Sequence, residues 1–115
     1  MAYHMLIPSK SPADNLLLDR YLGSAVSVDF YWESVGRKLN LPIISSLTEK
    51  ADSEEGLALS AESLVLFKKE IQAFEKYWID ESSNTSLPDD FLQGIRIISE
   101  GVDNAIDNGL TLMVG

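Results

Sequence analysis

Two apolar stripes in the second half of the chain constrain its fold most strongly. Within each stripe the apolar residues recur at spacings of three and four, the period of a helix with one face on a core. The first stripe consists of Leu64, Phe67, Ile71, Phe74 and Trp78, and the second of Phe91, Ile95, Ile98, Val102 and Ala105. The polar residues 80–87 separate them. This pattern predicts an antiparallel hairpin of two helices, at 60–79 and 88–108.

The residues that flank the stripes have the character of helix caps. Ser60 is placed to accept a hydrogen bond from the first turn of one helix. Pro88 suits the first turn of the other, where a missing N–H costs nothing. Asn108-Gly109 is typical of a left-handed helix end.

The first half of the chain gives a weaker pattern. Ser11-Pro12-Ala13-Asp14 has the form of a helix start, and the apolar residues that follow predict a helix at 12–22. Residues 24–39 fit either a helix or a strand, because different subsets of their apolar residues show each period. We favour a helix at 25–39, with Arg37 and Lys38 at its C-terminal end.

The two ends of the chain alternate in a way that strands do. Residues 3–7 and 110–114 each show this pattern, and as strands they would pair in a two-stranded ribbon. We favour apolar tails packed on the helices, because an isolated pair of strands is marginally stable. With 115 residues, 45% of them hydrophobic, the chain has enough apolar surface for one core. We therefore predict a single all-α domain over 1–115, a compact bundle of three or four helices ending in the hairpin.

The net charge of −9 is concentrated near the C-terminus. Residues 80–115 carry seven acidic residues against Arg96 alone, a net charge of −6. Nucleic acid and anionic membranes are unfavourable partners for such a surface, since binding to phosphate depends on Lys and Arg. A basic protein partner suits it better. The chain has no cysteine, and Met1 to Pro8 lack the features of a secretory signal, so we expect a cytoplasmic protein.

Few residues offer catalytic chemistry. His4 is the only histidine, which excludes a multi-histidine metal site, and no cofactor motif is present. Glu100, Asp103 and Asp107 have helical spacing and are weak candidates for Mg²⁺ ligands. The segment 100–103 resembles the Glu-x-x-Asp half of the motif of all-helical nucleotide pyrophosphatases, whose Glu-x-x-Glu half this chain lacks.

The interface candidates are aromatic, acidic and glycine positions near the predicted helices. Tyr and Trp are enriched at binding hot spots, and the chain contains two Tyr-Trp pairs, at 31–32 and 77–78. For both tryptophans we favour core packing. The candidates are Tyr31, Tyr77, Asp80, Glu81, Asp89, Asp90, Gly94 and Gly101.

We predict a non-catalytic protein that binds a basic partner, in the manner of an inhibitor or immunity protein. The alternatives are a Mg²⁺-dependent hydrolase using the three carboxylates, and a structural homo-oligomer, such as a homodimer, whose copies meet along a glycine-lined seam. For Gly94 and Gly101 themselves, close helix packing is the interpretation we favour over a groove for a partner.

Overall fold

The chain forms a mixed α/β structure, so the prediction of an all-α helical bundle is wrong. The computed structural model describes residues 2–9, 16–88 and 90–115. The strands are β1 (Ala2–Ile7), β2 (Leu18–Ser24), β3 (Leu57–Leu59) and β4 (Leu112–Val114). The α-helices are α1 (Ala25–Val28), α2 (Ser34–Leu39), α3 (Leu47–Ala51), α4 (Glu62–Glu81) and α5 (Phe91–Asn108).

The four strands make one antiparallel sheet in the order β2-β1-β4-β3. Successive side chains of a strand point to opposite faces, and in β1 the side chains of Tyr3, Met5 and Ile7 are buried while those between them are not. Leu112 and Val114 of β4 continue the buried face. The helices cover this face, and the sheet is a layer with one side open.

The terminal segments are strands of this sheet, so our preference for packed apolar tails is wrong. Leu6 of β1 lies opposite Met113 of β4. The stability argument against a two-stranded ribbon fails because β2 and β3 extend the pair to four strands, with a buried face under the helices.

The predicted helix at 12–22 is also wrong where the structure describes it, because Leu18–Ser24 is strand β2. The predicted helix start at 11–14 lies outside the described residues. Opposite Tyr3 and His4 the strand contains a β-bulge, an extra residue that interrupts alternation. Leu18 and Leu22 are four residues apart in the sequence, a spacing that fits one face of a strand and one face of a helix equally well.

Residues 25–39 are helical throughout, as we predicted. Ser24 caps α1, its Oγ accepting a hydrogen bond from the backbone N–H of Ser27 at 3.3 Å. A π-helical turn, Asp29–Glu33, joins α1 to α2. Such a turn holds one residue more than an α-helical turn, and here it directs the neighbouring Trp32 and Glu33 into the interior.

The helical hairpin is confirmed. The observed helices differ from the predicted ranges 60–79 and 88–108 by two residues at each end of α4 and by three at the start of α5. All ten residues of the two predicted stripes are buried except Phe91, which is half-buried. The two predicted helix starts are wrong in detail. Ala61, with φ 50°, precedes α4 in place of Ser60, and Asp90, with φ 63°, precedes α5 in place of Pro88. Gly109, with φ 64°, ends α5 as predicted.

Contacts between α4 and α5 show their antiparallel register. Lys68 pairs with Asp103, and Glu75 with Arg96, so the start of one helix lies beside the end of the other. The C-terminal end of α4 therefore lies beside the N-terminal end of α5. Within the described ranges, no helix combines the length and the apolar character needed to cross a bilayer.

Candidate functional site

The two Tyr-Trp pairs, 46 residues apart in the sequence, meet in one aromatic cluster. The rings of Tyr31, Trp78 and Phe91 form a triangle, in which the centroids of Tyr31 and Phe91 are 5.9 and 5.4 Å from that of Trp78 and 5.3 Å from each other. The ring of Tyr77 meets Trp78 edge to face at 5.2 Å. Phe30 packs edge to face on Tyr31 at 4.9 Å and is 61% exposed. We call these five residues the aromatic end.

The tryptophans anchor this region from within the core. Trp78 is 5% exposed, and its indole N–H donates to the backbone oxygen of Tyr31 at 3.2 Å. Trp32 stacks on Phe74 with a centroid distance of 4.4 Å. Core packing of both tryptophans is thus confirmed, and Tyr31 and Tyr77 are half-buried at the surface.

Acidic residues border the aromatic end. Asp80 and Glu81 close α4, just after Trp78, and Asp90 precedes Phe91. Among the described side chains, none of these three carboxylates forms an ion pair or a hydrogen bond to a side chain. Asp89, the remaining acidic candidate, lies outside the described residues. On the Tyr77 side lies a basic residue, since the Lys38 ammonium is 5.2 Å from the Tyr77 ring centroid.

The two glycine candidates pack against the sheet. A Cβ atom on Gly101 would lie 3.4 Å from Ile7 Cδ1 and 3.4 Å from Leu18 Cδ2. A Cβ atom on Gly94 would lie 2.7 Å from Nη2 of Arg20. Both glycines therefore face the sheet side of α5: Gly94 lies in close contact with the Arg20 side chain, as close packing requires, whereas Gly101 has neighbours only at ordinary contact distance.

The three candidate Mg²⁺ ligands are not assembled into a site. Asp103 forms an ion pair with the Lys68 ammonium at 2.9 Å, and Lys68 also donates to Ser99 Oγ at 2.7 Å. In the part of the chain that the structure describes, no group of three or more His, Asp or Glu side chains is placed to hold a metal ion. No observation therefore favours the hydrolase.

Two buried carboxylates were missed in the sequence, and both hold the segment 41–52. Glu70 of α4 accepts hydrogen bonds from the backbone N–H groups of Ile43 and Ile44, the latter at 2.9 Å. Glu33 accepts from the N–H of Thr48 at 3.1 Å and from its hydroxyl at 2.9 Å. Buried carboxylates are usual candidates for acid-base catalysis, but these are committed to main-chain donors. Their role is to position the segment.

A third carboxylate binds this segment to the sheet. The Tyr3 hydroxyl donates to both oxygens of Asp52, at 3.0 and 2.8 Å. This hydrogen bond raises the pKa of Tyr3 above its ordinary value, and burial of the ring and the negative charges of Asp52 and Glu33 raise it further. The phenol therefore stays protonated in the fold at a pH where it ionises in the unfolded chain.

We expect the free energy of unfolding to fall as the pH rises above about 10, the ordinary pKa of tyrosine. In this range the unfolded chain releases the Tyr3 proton while the folded chain retains it, so the unfolded state binds fewer protons and stability decreases with pH. Below that pH the contribution of Tyr3 is fully present. Urea unfolding between pH 8 and about 11 should show a shallower decrease for Tyr3→Phe than for the wild type. An equal decrease in the two proteins would show that Tyr3 does not cause the loss of stability. Tyr21→Phe, at an exposed tyrosine, is the control.

An apolar groove at the other end of the hairpin was also missed. It lies between the start of α4 and the end of α5 and has a volume of about 740 Å³. Its walls include Val65, Leu66, Ala105, Ile106 and Leu110, and Glu62 is the one charged residue among the described residues that line it. Val65 and Leu66 stand outside the predicted stripe of α4, and two adjacent apolar residues on the outer side of a helix are the signal that marks the groove in the sequence.

Comparison with protein-family models, with curated proteins and with solved structures gives no significant match to this chain.

Proposed function

We propose that the chain is a cytoplasmic, non-catalytic binding module whose aromatic end docks a basic protein. The observation that carries this proposal is that Tyr31, Tyr77 and Phe91 gather around Trp78, next to three unpaired carboxylates. Aromatic anchors surrounded by a polar rim are the usual composition of a protein interface. An inhibitor or immunity protein that covers a cationic enzyme is the concrete version we favour.

The physical argument has two parts. The half-buried rings have little conformational entropy to lose on binding, because Trp78 and its neighbours already hold them in place. The carboxylates of Asp80, Glu81 and Asp90 would meet Lys or Arg side chains of the partner. Complementary charges of this kind mainly speed association and give it a dependence on salt.

The test is a tagged capture from a lysate of the source organism at low salt, compared between two triple variants. Asp80→Asn, Glu81→Gln and Asp90→Asn together remove the acidic border, and asparagine tolerates the left-handed backbone of position 90. The matched control removes the same charge elsewhere, by Glu49→Gln, Glu54→Gln and Glu55→Gln, at three exposed positions without partners.

We expect a basic protein in stoichiometric amount with the wild type and the control, released as salt is raised. With the purified partner, the border variant should associate about tenfold more slowly at low salt, because it lacks the steering charges. Equal slowing by the control would show that net charge alone matters and would contradict a specific aromatic end. A capture without any stoichiometric partner would contradict the proposal itself.

A further inference from the structure

The apolar groove lies far from the aromatic end. It is formed where α4 begins and α5 ends, whereas the aromatic end includes the opposite ends of the same helices. A helix rises 1.5 Å per residue, so the twelve residues from Val65 to Tyr77 separate the two surfaces by about 18 Å along α4. An inference about the groove therefore does not rest on the function proposed for the aromatic end.

The groove is open and its walls are apolar. Val65 is 44% exposed and Leu66 56% exposed, although both are large aliphatic residues on a helix with a well-buried opposite face. A volume of about 740 Å³ is within the range of ligand-binding clefts. Contiguous exposed apolar surface of this kind marks an interaction site more often than an isolated exposed leucine does.

The charged residues around the groove favour some classes of bound molecule over others. Glu62 lines it, and Asp107 is exposed next to Ile106 in the sequence. No Lys or Arg is found among the described lining residues. The Glu62 carboxylate disfavours an anionic amphiphile here. A second copy would bring Glu62 and Asp107 against like charges, on chains that each carry −9.

We propose that this groove docks an amphipathic helical segment of a partner protein, with apolar side chains against Val65, Leu66 and Ile106. Lys or Arg residues flanking those apolar side chains would face Glu62 and Asp107. In this mode of recognition, apolar residues spaced three and four apart along the bound helix enter the groove, and flanking charges set its orientation.

The probe is a synthetic amphipathic peptide of about 15 residues, long enough to form a helix on binding, with leucines at helical spacing and lysines at the other positions. Two control peptides replace every lysine by glutamate, or every leucine by serine. Each is titrated into the ¹⁵N-labelled full chain. We expect the leucine-lysine peptide to bind at least about tenfold more tightly than either control, with shifts concentrated at the amides of 65, 66, 105 and 106. Equal binding of the glutamate peptide, shifts centred on the aromatic end, or no binding would overturn the proposal.

Variants of the chain distinguish binding of the peptide in the groove from nonspecific binding elsewhere on the surface. Val65→Ser removes a groove wall, and Val26→Ser is the matched control, because Val26 is 79% exposed on α1 and does not line the groove. Only Val65→Ser should weaken the affinity for the peptide, by about tenfold. Both variants should unfold at similar temperatures. The pair Glu62→Gln and Asp107→Asn should weaken it about fivefold, whereas Glu54→Gln with Glu55→Gln should not. Equal effects within either pair would contradict the proposal.

Light scattering of the free chain tests the competing occupant. We expect the mass of a single chain at high concentration, since like charges oppose pairing of two grooves. A dimer in the wild type that Val65→Ser dissociates and Val26→Ser does not would show that a second copy fills the groove, and would overturn the assignment to a basic helix.

Discussion

Replacement of Gly36 by alanine should destabilise the protein by about 2 kcal/mol, although alanine is the better helix former by about 1 kcal/mol. A Cβ atom at this position in α2 would lie 2.6 Å from the backbone nitrogen of Ser45 and 3.0 Å from the carbonyl carbon of Ile44. Both neighbours are main-chain atoms, so no side chain can rotate away. The Gly36 carbonyl also accepts from the N–H of Leu41 at 2.7 Å, which holds the two segments together.

Gly101→Ala is the matched control for this prediction. A Cβ atom there would be 3.4 Å or more from the methyl groups of Ile7 and Leu18, within ordinary contact. The substitution should therefore stabilise α5 by up to about 1 kcal/mol. Urea denaturation midpoints of the two variants measure the difference, and they should move in opposite directions. A stabilised Gly36→Ala would show that residues 41–45 do not need their close approach to α2.

The helical half of this fold could be predicted because its signal is local. The stripes of α4 and α5 each persist over several turns, and every residue of the first stripe is buried. The helix ends were harder to predict. Ala61 and Asp90 both have positive φ angles, Asp90 in the left-handed helical region, and neither makes a capping side-chain hydrogen bond.

The complete sheet could not be predicted, because its evidence is spread over four segments. The alternation at 3–7 and 110–114 indicated a pair of terminal strands, and β1 does pair with β4, but β3 has three residues, too short for a period to stand out. Only the combination makes each strand stable. In β2 a bulge disturbs the alternation, so a search for regular periods misreads Leu18–Ser24 as part of a helix.

Sequence reasoning chose the aromatic and acidic positions one by one, and folding brings several of them together. Tyr31 and Tyr77 were selected for their residue type, but their common neighbour Trp78 depends on how residues 25–39 pack beside α4. The groove and the buried carboxylates required the structure. The burial of Glu70 could nevertheless have been predicted from the sequence. It lies three residues after Phe67 and four before Phe74, on the buried face of its helix.

Glu70→Ala should destabilise the protein by about 3 kcal/mol. The substitution leaves the N–H groups of Ile43 and Ile44 without their acceptor, and each buried donor left unsatisfied costs about 1 to 3 kcal/mol. Glu70→Gln should cost only about 1 kcal/mol, because one amide oxygen can still accept from both donors while the charge is lost. Glu100→Ala, at an exposed and unpaired carboxylate on α5, is the control and should change stability by less than about 0.5 kcal/mol.

Amide hydrogen exchange identifies where the stability is lost. In Glu70→Ala, the N–H groups of Ile43 and Ile44 should exchange faster than expected from the loss of global stability, because the segment 41–52 loses one of its attachments. The N–H of Thr48, held by Glu33, should remain protected to the extent of the global change. If both regions exchange alike, the segment opens only with the whole fold, and Glu70 acts through general core packing. If Ile43 and Ile44 alone are released, the carboxylate holds the start of this segment, next to the backbone that Gly36 allows to approach.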